Sequence, residues 1–452
     1  MPKKKTALTI EERLQQALVP AEEQPYEVPE NWVWVRLGAI AEIVTGGTPS
    51  KKHPEYYGGN FPFYKPSDLD QGRLTYDASE YLSEEGKKVS RIIPKNSTAV
   101  CCIGSIGKCG YLMCEGTTNQ QINSAIPKIN SLCLYYYLCT ENFVQNLLSM
   151  ASATTIAIVN KSKMESCAFP LPPLSEQQRI VERIEELFAK LDEAKERLQE
   201  VVDSFAVRKA AILHKAFTGE LTQQWRLENG VSDESWEEKT IGEICSSLKY
   251  GTSKKSSDDG EVVVLRMGNL QNGEIDWSNL AYTSDEEDIK KYLLKSGDVL
   301  FNRTNSPELV GKTSIYRGEI PAIYAGYLIK LDYEKNIVVG DYLNYYLNSS
   351  KAKEYYMQVK TDGVSQSNIN AKKIGEFEIP LPTLPEQDEI VRLIDDLLAR
   401  ERAAQQAAEQ ALASIDLMKK SILARAFRGE LGTNKASEAS ALELLKQVLA
   451  EG

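Results

Sequence analysis

Histidine is almost missing from this chain: His53 and His214 are the only two in 452 residues. That leaves little room for a Ser-His-Asp or Cys-His arrangement and disfavours zinc. The phosphate-cradling G-x-x-x-x-G-K-[ST], the metalloprotease H-E-x-x-H, the hydrolase G-x-S-x-G and the dinucleotide G-x-G-x-x-G are also absent. The nearest text, IGSIGKCG at 103–110, has the wrong glycine spacing, and Lys108 is not followed by Ser or Thr. No catalytic activity is therefore expected of the chain by itself. No apolar run approaches the length of about 18 residues that a membrane span needs. The opening MPKKKTALTIEERLQQ puts Glu11, Glu12 and Arg13 where a signal peptide would carry its apolar core, so a cytoplasmic protein with no membrane partner is expected. Cysteine pairs are missing too. Seven of the eight cysteines fall between Cys101 and Cys167, none as C-x-x-C, and buried reduced thiols acting as small hydrophobes are expected rather than disulfides or a structural metal.

Excess positive charge is also lacking. Lys and Arg number 53 against 64 Asp and Glu, a net charge of −11, which at first argues against a nucleic-acid partner. Its distribution matters more. Residues 31–168 carry 13 cations and 11 anions, and residues 236–378 carry 18 and 22, so the two regions are close to neutral and any DNA contact must use local clusters, aided by a partner that supplies further phosphate contacts. The rest is ordinary: 42% apolar and 26% charged residues, with 28 Gly and 18 Pro, exclude collagen-like and wholly disordered classes, and the length favours two or more domains.

What stands out is a repeat. From Pro170 to Leu221 and again from Pro380 to Leu431, 21 of 52 positions are identical without a gap. Each copy opens with P-L-P-x-L-x-E-Q and closes with A-F-x-G-E-L. Inside, apolar positions step by four and three: Ile180, Ile184, Leu187, Leu191, Ala194, Leu198, Val201 and Phe205 in the first copy, past a polar Arg208 to Ile212. The second keeps Ile390, Ile394, Leu397, Ala404, Ala408, Ala411, Ile415, Met418 and Ile422, interrupted by Glu401. This predicts two long helices packed as a coiled coil, each about 40 residues and roughly 60 Å long, stopping at Gly219 or Gly429. Trp32, Leu37, Gly38, Ile40, Gly47 and Thr48 also match Trp236, Ile241, Gly242, Ile244, Gly251 and Thr252 at an offset of 204, while Tyr136, Tyr137 and Leu138 match Tyr345, Tyr346 and Leu347 at 209.

The chain thus reads as a tandem. An arm (1–30) precedes a globular domain (31–168) and a helical spacer (169–221); a linker (222–235), a second domain (236–378), a second spacer (379–431) and a tail (432–452) follow. Short strand-like runs such as NFPFYKP, STAVCCIG, EVVVLRMG and AIYAGYLIKL, broken by Gly, Asn, Asp and Pro, predict α+β domains. Since a domain's termini are usually close together, the second helix should return antiparallel to the first, giving pseudo-two-fold symmetry and one domain near each end of a rod. In the arm, TIEERLQQALVP reads as a short amphipathic helix.

The repeated P-L-P-x-L-x-E-Q and A-F-x-G-E-L motifs resemble those of the specificity subunits of type I restriction-modification systems, over nearly all of the chain. The resemblance implies two target recognition domains at 31–168 and 236–378, each reading half of a split sequence in double-stranded DNA. Their helical spacers would bind two modification (methyltransferase) subunits and, with them, the restriction (endonuclease and translocase) subunits. S-adenosylmethionine, ATP and Mg are then expected on those partners and no cofactor in this chain. Among the helix positions, Ile180, Ile184, Leu187, Leu198, Ile390, Ile394, Leu397 and Ile415 are the expected assembly residues.

Candidate DNA contacts follow glycine turns. Thr48, Ser50, Lys51 and Lys52 are echoed by Thr252, Ser253, Lys254 and Lys255, suiting phosphate anchoring; a solvated surface loop is the alternative. Lys65, Ser67 and Asp68 have counterparts in Arg266, Gly268 and Asn269, of which Arg266 could pair with guanine and Asn269 with adenine, or both could form turns. Runs rich in amides and hydroxyls, TTNQQINS, FNRTNS and VSQSNIN, offer Gln120, Gln121, Arg303, Asn305 and Gln366. Asn160 and Asn370 read instead as shared helix caps, and Tyr56, Tyr57, Tyr135, Tyr136, Tyr345 and Tyr346 as core rather than a stacking platform. A different class of function, a coiled-coil scaffold whose end domains bind protein or glycan, stays open at this point.

Overall fold

A computed structural model of the chain describes residues 9–152, 157–364 and 366–451, with Asp233 described through its main chain alone. Residues 1–8 of the expected arm, Ser365 of the VSQSNIN run and Gly452 of the expected tail lie outside the described residues. The chain divides into two units: one joins the residues up to Leu198 with those from Gln410 onward, and the other is Gln199–Glu409.

In the first unit, Ala41–Thr45, Ile122–Pro127, Thr98–Cys101 and Cys109–Tyr111 hydrogen-bond in that order as an antiparallel sheet. The run TAVC is buried at every position, which is why it reads as uninterrupted apolar text. Beside it, Tyr57–Tyr64 pairs with Glu80–Leu82 and, in parallel, with Thr117–Thr118. The second unit repeats the plan. Cys245–Tyr250, Leu328–Tyr333, Val299–Asn302 and Thr313–Ile315 form its larger sheet, and Val262–Leu265 pairs with Tyr282–Thr283 and, in parallel, with Ala322–Tyr324. Both units are mixed α+β, as expected. Cys101, Cys102, Cys133, Cys167 and Cys245 are buried free thiols, and burial pushes Cys102, Cys167 and Cys245 each up to about 12.

The helical repeats are only partly the rods expected. The second runs unbroken over Leu384–Ala426, but the first divides into Leu174–Asp203 and Phe205–Phe217. Polar side chains gather at the break: the Ser204 hydroxyl donates to the Glu200 carbonyl at 2.6 Å, and Arg208 donates to Ser204 Oγ and to the Val201 carbonyl, while the Ser204 amide still donates to the Glu200 carbonyl at 3.0 Å. Gly219 and Gly429 stop the helices as expected, at φ of 81° and 76°.

Within each unit the two helical segments run in opposite directions. In the first, Asp192 pairs with Lys419 at 2.5 Å and Arg179 with Glu438 at 2.8 Å. In the second, Arg208 Nε meets Glu401 at 2.5 Å and Arg226 meets Glu386 at 2.8 Å. Arg208 and Glu401, the two residues that interrupted the apolar patterns, thus face each other as an ion pair. The heptad assignment needs correction elsewhere. Ile180 and Ile184 belong to the core of the first unit, and Ile390 and Ile394 to that of the second, where Leu398 rather than Leu397 is buried. Leu187, Leu198 and Leu397 are half-buried, Ile415 is buried, and Ala404 and Met418 are exposed. No residue from Glu185 to Ile212 is fully buried, because a helix covered on one side by a single partner leaves most of its surface in water.

The repeated Glu-Gln pair explains itself in this packing. Glu176, Gln177, Glu386 and Gln387 are all fully buried. Glu176 accepts from Trp32 Nε1 at 2.7 Å and from Thr433 and Asn434. Glu386 accepts from Thr222 and Arg226. Gln177 and Gln387 brace the loops before them, donating to the Pro172 and Pro382 carbonyls at 2.9 Å. In each unit, then, the carboxylate opening one helical repeat fastens the segment that follows the other repeat. The stretch 222–235 is accordingly more than a linker, since it contains the helix Gln223–Asn229. The tail forms the helix Ala441–Glu451, and the arm forms the helix Ile10–Ala17, closed by a Thr9–Glu12 capping box; Arg13 Nη1 donates to the Leu449 carbonyl at 3.1 Å. Among the described residues no helix is long and apolar enough to cross a membrane.

Asp332 gives the second unit an acid-sensitive point. Burial opposes its ionisation, yet Lys249, Lys330 and Ser247 hydrogen-bond it and hold its carboxyl down to about 2. A depressed carboxyl stabilises above its unfolded value near 4, and that contribution is lost as the pH falls toward 2. Asp332→Asn should therefore lower stability to urea at pH 6 by about 1 kcal/mol, after allowance for the exposed Lys249, and the gap to wild type should close between pH 4 and 2. A gap independent of pH would refute this.

Candidate nucleic-acid interface

Each unit brings two loops together at the same place on its larger sheet. In the first, the Gly46 amide donates to the Ile122 carbonyl and the Gly47 amide to the Thr118 carbonyl; in the second, the Gly251 amide donates to Leu328 and the Thr252 amide to Tyr324. Gly46 therefore corresponds to Gly251, and the offset of 204 read from the sequence becomes 205. A β-bulge between Cys245 and Ser247 supplies the extra residue. Glycine is required here because a Cβ would lie 2.3 Å from the Thr118 oxygen at Gly46 and 2.1 Å from the Tyr324 oxygen at Gly251.

In the second unit these loops wall a cleft of about 600 Å³ that collects Thr252, Lys254, Lys255, Arg266, Arg303, Gly326 and Tyr327. Six sequence candidates, Ser253 among them, thus converge, but they are not equally free. Thr252 is buried and donates to Asp288. Lys254 is paired with Asp285 at 2.7 Å, which raises its pKa, and lies 3.5 Å from Asp288. Arg266 Nη2 is donated to Asn279 Oδ1 at 3.1 Å. Lys255 is exposed and has no ion-pair partner among the described residues. Arg303 lies 4.8 Å over the Tyr250 ring and donates Nη1 to the Gly326 carbonyl at 3.3 Å, while its Nε is buried with no partner among the described residues. A guanidinium fixed by stacking and one carbonyl keeps other N–H groups for a ligand.

Asn269 and Asp68 correct the expectation of base reading. Both are buried and occupy equivalent turns: Asp68 Oδ2 accepts from the Lys65 amide at 2.7 Å and Asn269 Oδ1 from the Arg266 amide at 2.9 Å. Asn269 Nδ2 is spent on the Asp276 and Asn279 carbonyls, so these side chains hold the turn. Lys65 pairs with Glu80 at 2.8 Å, and Ser67 is exposed beside it. Asn305 and Gln366 fall outside the cleft, in and beside a small sheet formed by Thr304–Asn305, Ser367–Asn368 and Thr361–Asp362.

In the first unit, Thr48, Ser50, Lys51 and Lys52 are exposed, and the Thr48 hydroxyl donates to Gln120 Oε1 at 2.5 Å. Gln121 is half-buried and accepts from Asn119 Nδ2 at 3.0 Å. Arg303 and Cys102 occupy matching positions, since their amides donate to the Tyr327 and Gln121 carbonyls respectively. The two loop sites are thus alike in backbone but carry Arg303, Gly326 and Tyr327 in one and Cys102, Gln120 and Gln121 in the other. Asn160 and Asn370 are the helix caps expected, accepting from Lys163 and Lys373, and Tyr135, Tyr136 and Tyr346 are core. Tyr327, 49% exposed, was missed because AIYAGYLIKL reads as one strand; Gly326 was the available sign that it turns.

The model of the type I restriction modification DNA specificity domain matches residues 29–203 and 233–411. The chain is 28% identical over 462 residues to the type I restriction enzyme EcoBI specificity subunit of Escherichia coli, covering 94% of this chain and 93% of that one. It is 25% identical to the EcoKI specificity subunit of Escherichia coli strain K12, covering 94% and 96%. The solved HsdS subunit of Thermoanaerobacter tengcongensis shares its fold, with a TM-score of 0.62 and 20% identity over 90% of this chain and 99% of the other.

Proposed function

We propose, from the premise that this chain belongs to the type I restriction-modification DNA specificity family, that it is the non-catalytic subunit that recognises the DNA target, reading a bipartite duplex sequence with one loop site per unit. The observation that carries this reading is the duplicated loop pair. Two sites with the same main-chain frame and different side chains suit two half-sites of different sequence. In the second unit Arg303 is the base reader, poised for the O6 and N7 acceptors of guanine, with Tyr327 at its side and Lys255 on a phosphate. In the first, Gln120 and Gln121 face bases while Thr48, Ser50, Lys51 and Lys52 track the backbone.

The acidic total fits a subunit whose partners supply most phosphate neutralisation. Two modification subunits are expected to dock on the helical repeats, and restriction subunits to join them. Val207 and Leu417 occupy the same position of the two repeats and are 70% and 66% exposed, which supports one apolar contact for each modification subunit. The catalytic cofactors, S-adenosylmethionine, ATP and Mg, then reside on the partners.

The test uses the chain assembled with its modification subunit. Arg303→Ala should weaken binding to the recognised duplex by about 1–3 kcal/mol, roughly fivefold to 150-fold, with assembly unchanged. Undiminished affinity and unchanged sequence preference would remove Arg303 from the interface.

A further inference from the structure

The two units differ in charge at a place that DNA reading by the loop sites does not use. Where the helical segments of the first unit meet its globular part, two ion pairs form: Asp192 with Lys419 at 2.5 Å and Glu141 with Lys420 at 3.8 Å. The helical repeat, at its offset of 210, puts Arg402 in the place of Asp192, Lys209 in that of Lys419 and Ala210 in that of Lys420. The matched helices Glu141–Met150 and Ser350–Val359 put Ser350 in the place of Glu141 and Lys353 in that of Val144. Both anions of the first unit are gone from the second, where two cations, Arg402 and Lys353, have been added and one, the counterpart of Lys420, has been lost.

Lys209 and Lys353 therefore line one cavity, and Arg402 stands beside Lys209 at the position that Asp192 takes in the first unit. Lys209, Lys353 and Arg402 have no side-chain hydrogen bond or ion pair among the described residues. Burial, and then the charges of Arg402 and Lys353, push the Lys209 ammonium toward losing its proton. The small side chains Ala210 and Ser350 leave a cavity of about 390 Å³, wholly within the second unit, into which Lys209 and Lys353 both face. Lys312, also on its wall, is committed to Gln271 at 2.9 Å. Glu308 lines the cavity as well but pairs with none of these cations.

We propose that this cavity binds a phosphate-type oxyanion, held by Lys209 and Lys353 with the charge of Arg402 beside Lys209, and that the first unit, which carries its own carboxylates at the matching positions, lacks such a site. A phosphate monoester or pyrophosphate fits better than a single carboxylate, because it brings close to two negative charges at neutral pH and several acceptor oxygens for separate donors. The phosphoryl group can belong to a free phosphate compound or to the backbone of bound duplex.

Inorganic pyrophosphate is the probe, added to the full-length chain and compared with chloride at equal ionic strength. Pyrophosphate should raise the Tm of wild type, and Lys209→Met and Lys353→Met should each weaken its binding at least tenfold by calorimetry. Arg402→Asp, which restores the pairing of the first unit, should raise the Tm without ligand and abolish the response to pyrophosphate. A wild-type response no greater than that to chloride, or an undiminished response in Arg402→Asp, would overturn the proposal. Duplex titrations separate the sources, resting on the DNA reading above as the pyrophosphate measurements do not. If a backbone phosphate occupies the cavity, saturating pyrophosphate competes with duplex and Lys353→Met reduces the salt slope by about one; if a free phosphate compound does, both stay unchanged. Loss of modification-subunit assembly in Lys353→Met with no pyrophosphate response would identify an acidic protein side chain as the occupant and refute the phosphate assignment.

Discussion

Glu386→Ala should cost the second unit about 3–5 kcal/mol, the range for removing one partner of a buried ion pair. Glu386 is fully buried and the Arg226 side chain 8% exposed, and they meet at 2.8 Å with Thr222 hydrogen-bonded to the same oxygen. The substitution takes this carboxylate from Arg226 and opens a gap at the start of the second helical repeat. Urea unfolding should show the midpoint falling sharply. Arg226→Met should cost a similar amount, because it leaves the carboxylate buried, and the double variant should cost much less than the sum. Glu176→Gln is a useful contrast. Its neighbours Trp32, Thr433 and Asn434 are neutral donors, so an amide oxygen can still accept and the loss should be smaller. Equal losses at Glu386 and Glu176 would count against a charge-driven effect.

Phe427→Ala is the second substitution expected to be severe, at about 3–5 kcal/mol for an aromatic ring removed from a core. Phe427 stands just past the end of the second long helix and is completely buried. Its ring lies 5.1 Å from Tyr137, in the first recognition domain, and 6.4 Å from Phe169, in the strand Ala168–Leu171 that leads into the first helical repeat. The counterpart, Phe217, sits 5.3 Å from Tyr342 and 5.0 Å from Tyr346 but is only half-buried. Phe217→Ala should therefore cost clearly less. Thermal unfolding of the two variants side by side decides the point: if the order reverses, the core of the first unit does not depend on the end of the second helix in the way described.

Much of this architecture could be read from residues because it is duplicated. The match between P-L-P-x-L-x-E-Q segments placed both helix starts, and Asn160 and Asn370 announced themselves as caps because a cap acts locally, on the amide three residues later. What could not be read were the pairings across the chain. Arg208 and Glu401 each looked like a flaw in an apolar pattern, since only the fold brings them face to face. The heptad rhythm was real, but the covering it records is shared: Ile180, Ile184, Ile390 and Ile394 belong to cores that mix residues of the globular domains with the end of the other helical repeat, and helix periodicity records that a face is covered without recording by what. In the loop sites, single residues were chosen by side-chain type. Asn269 and Asp68 carry suitable groups but use them on their own main chain, while Tyr327 was hidden in a strand-like run and Arg303 gained its standing from Tyr250, distant in sequence.

The most direct test is to read the methylated sequence left by the complex of this chain with its modification subunit. A split motif is expected, two short specific blocks separated by unspecified bases, with Arg303→Ala relaxing one block and leaving the other intact. A single continuous motif, or a change in both blocks from that one substitution, would contradict two independent reading sites.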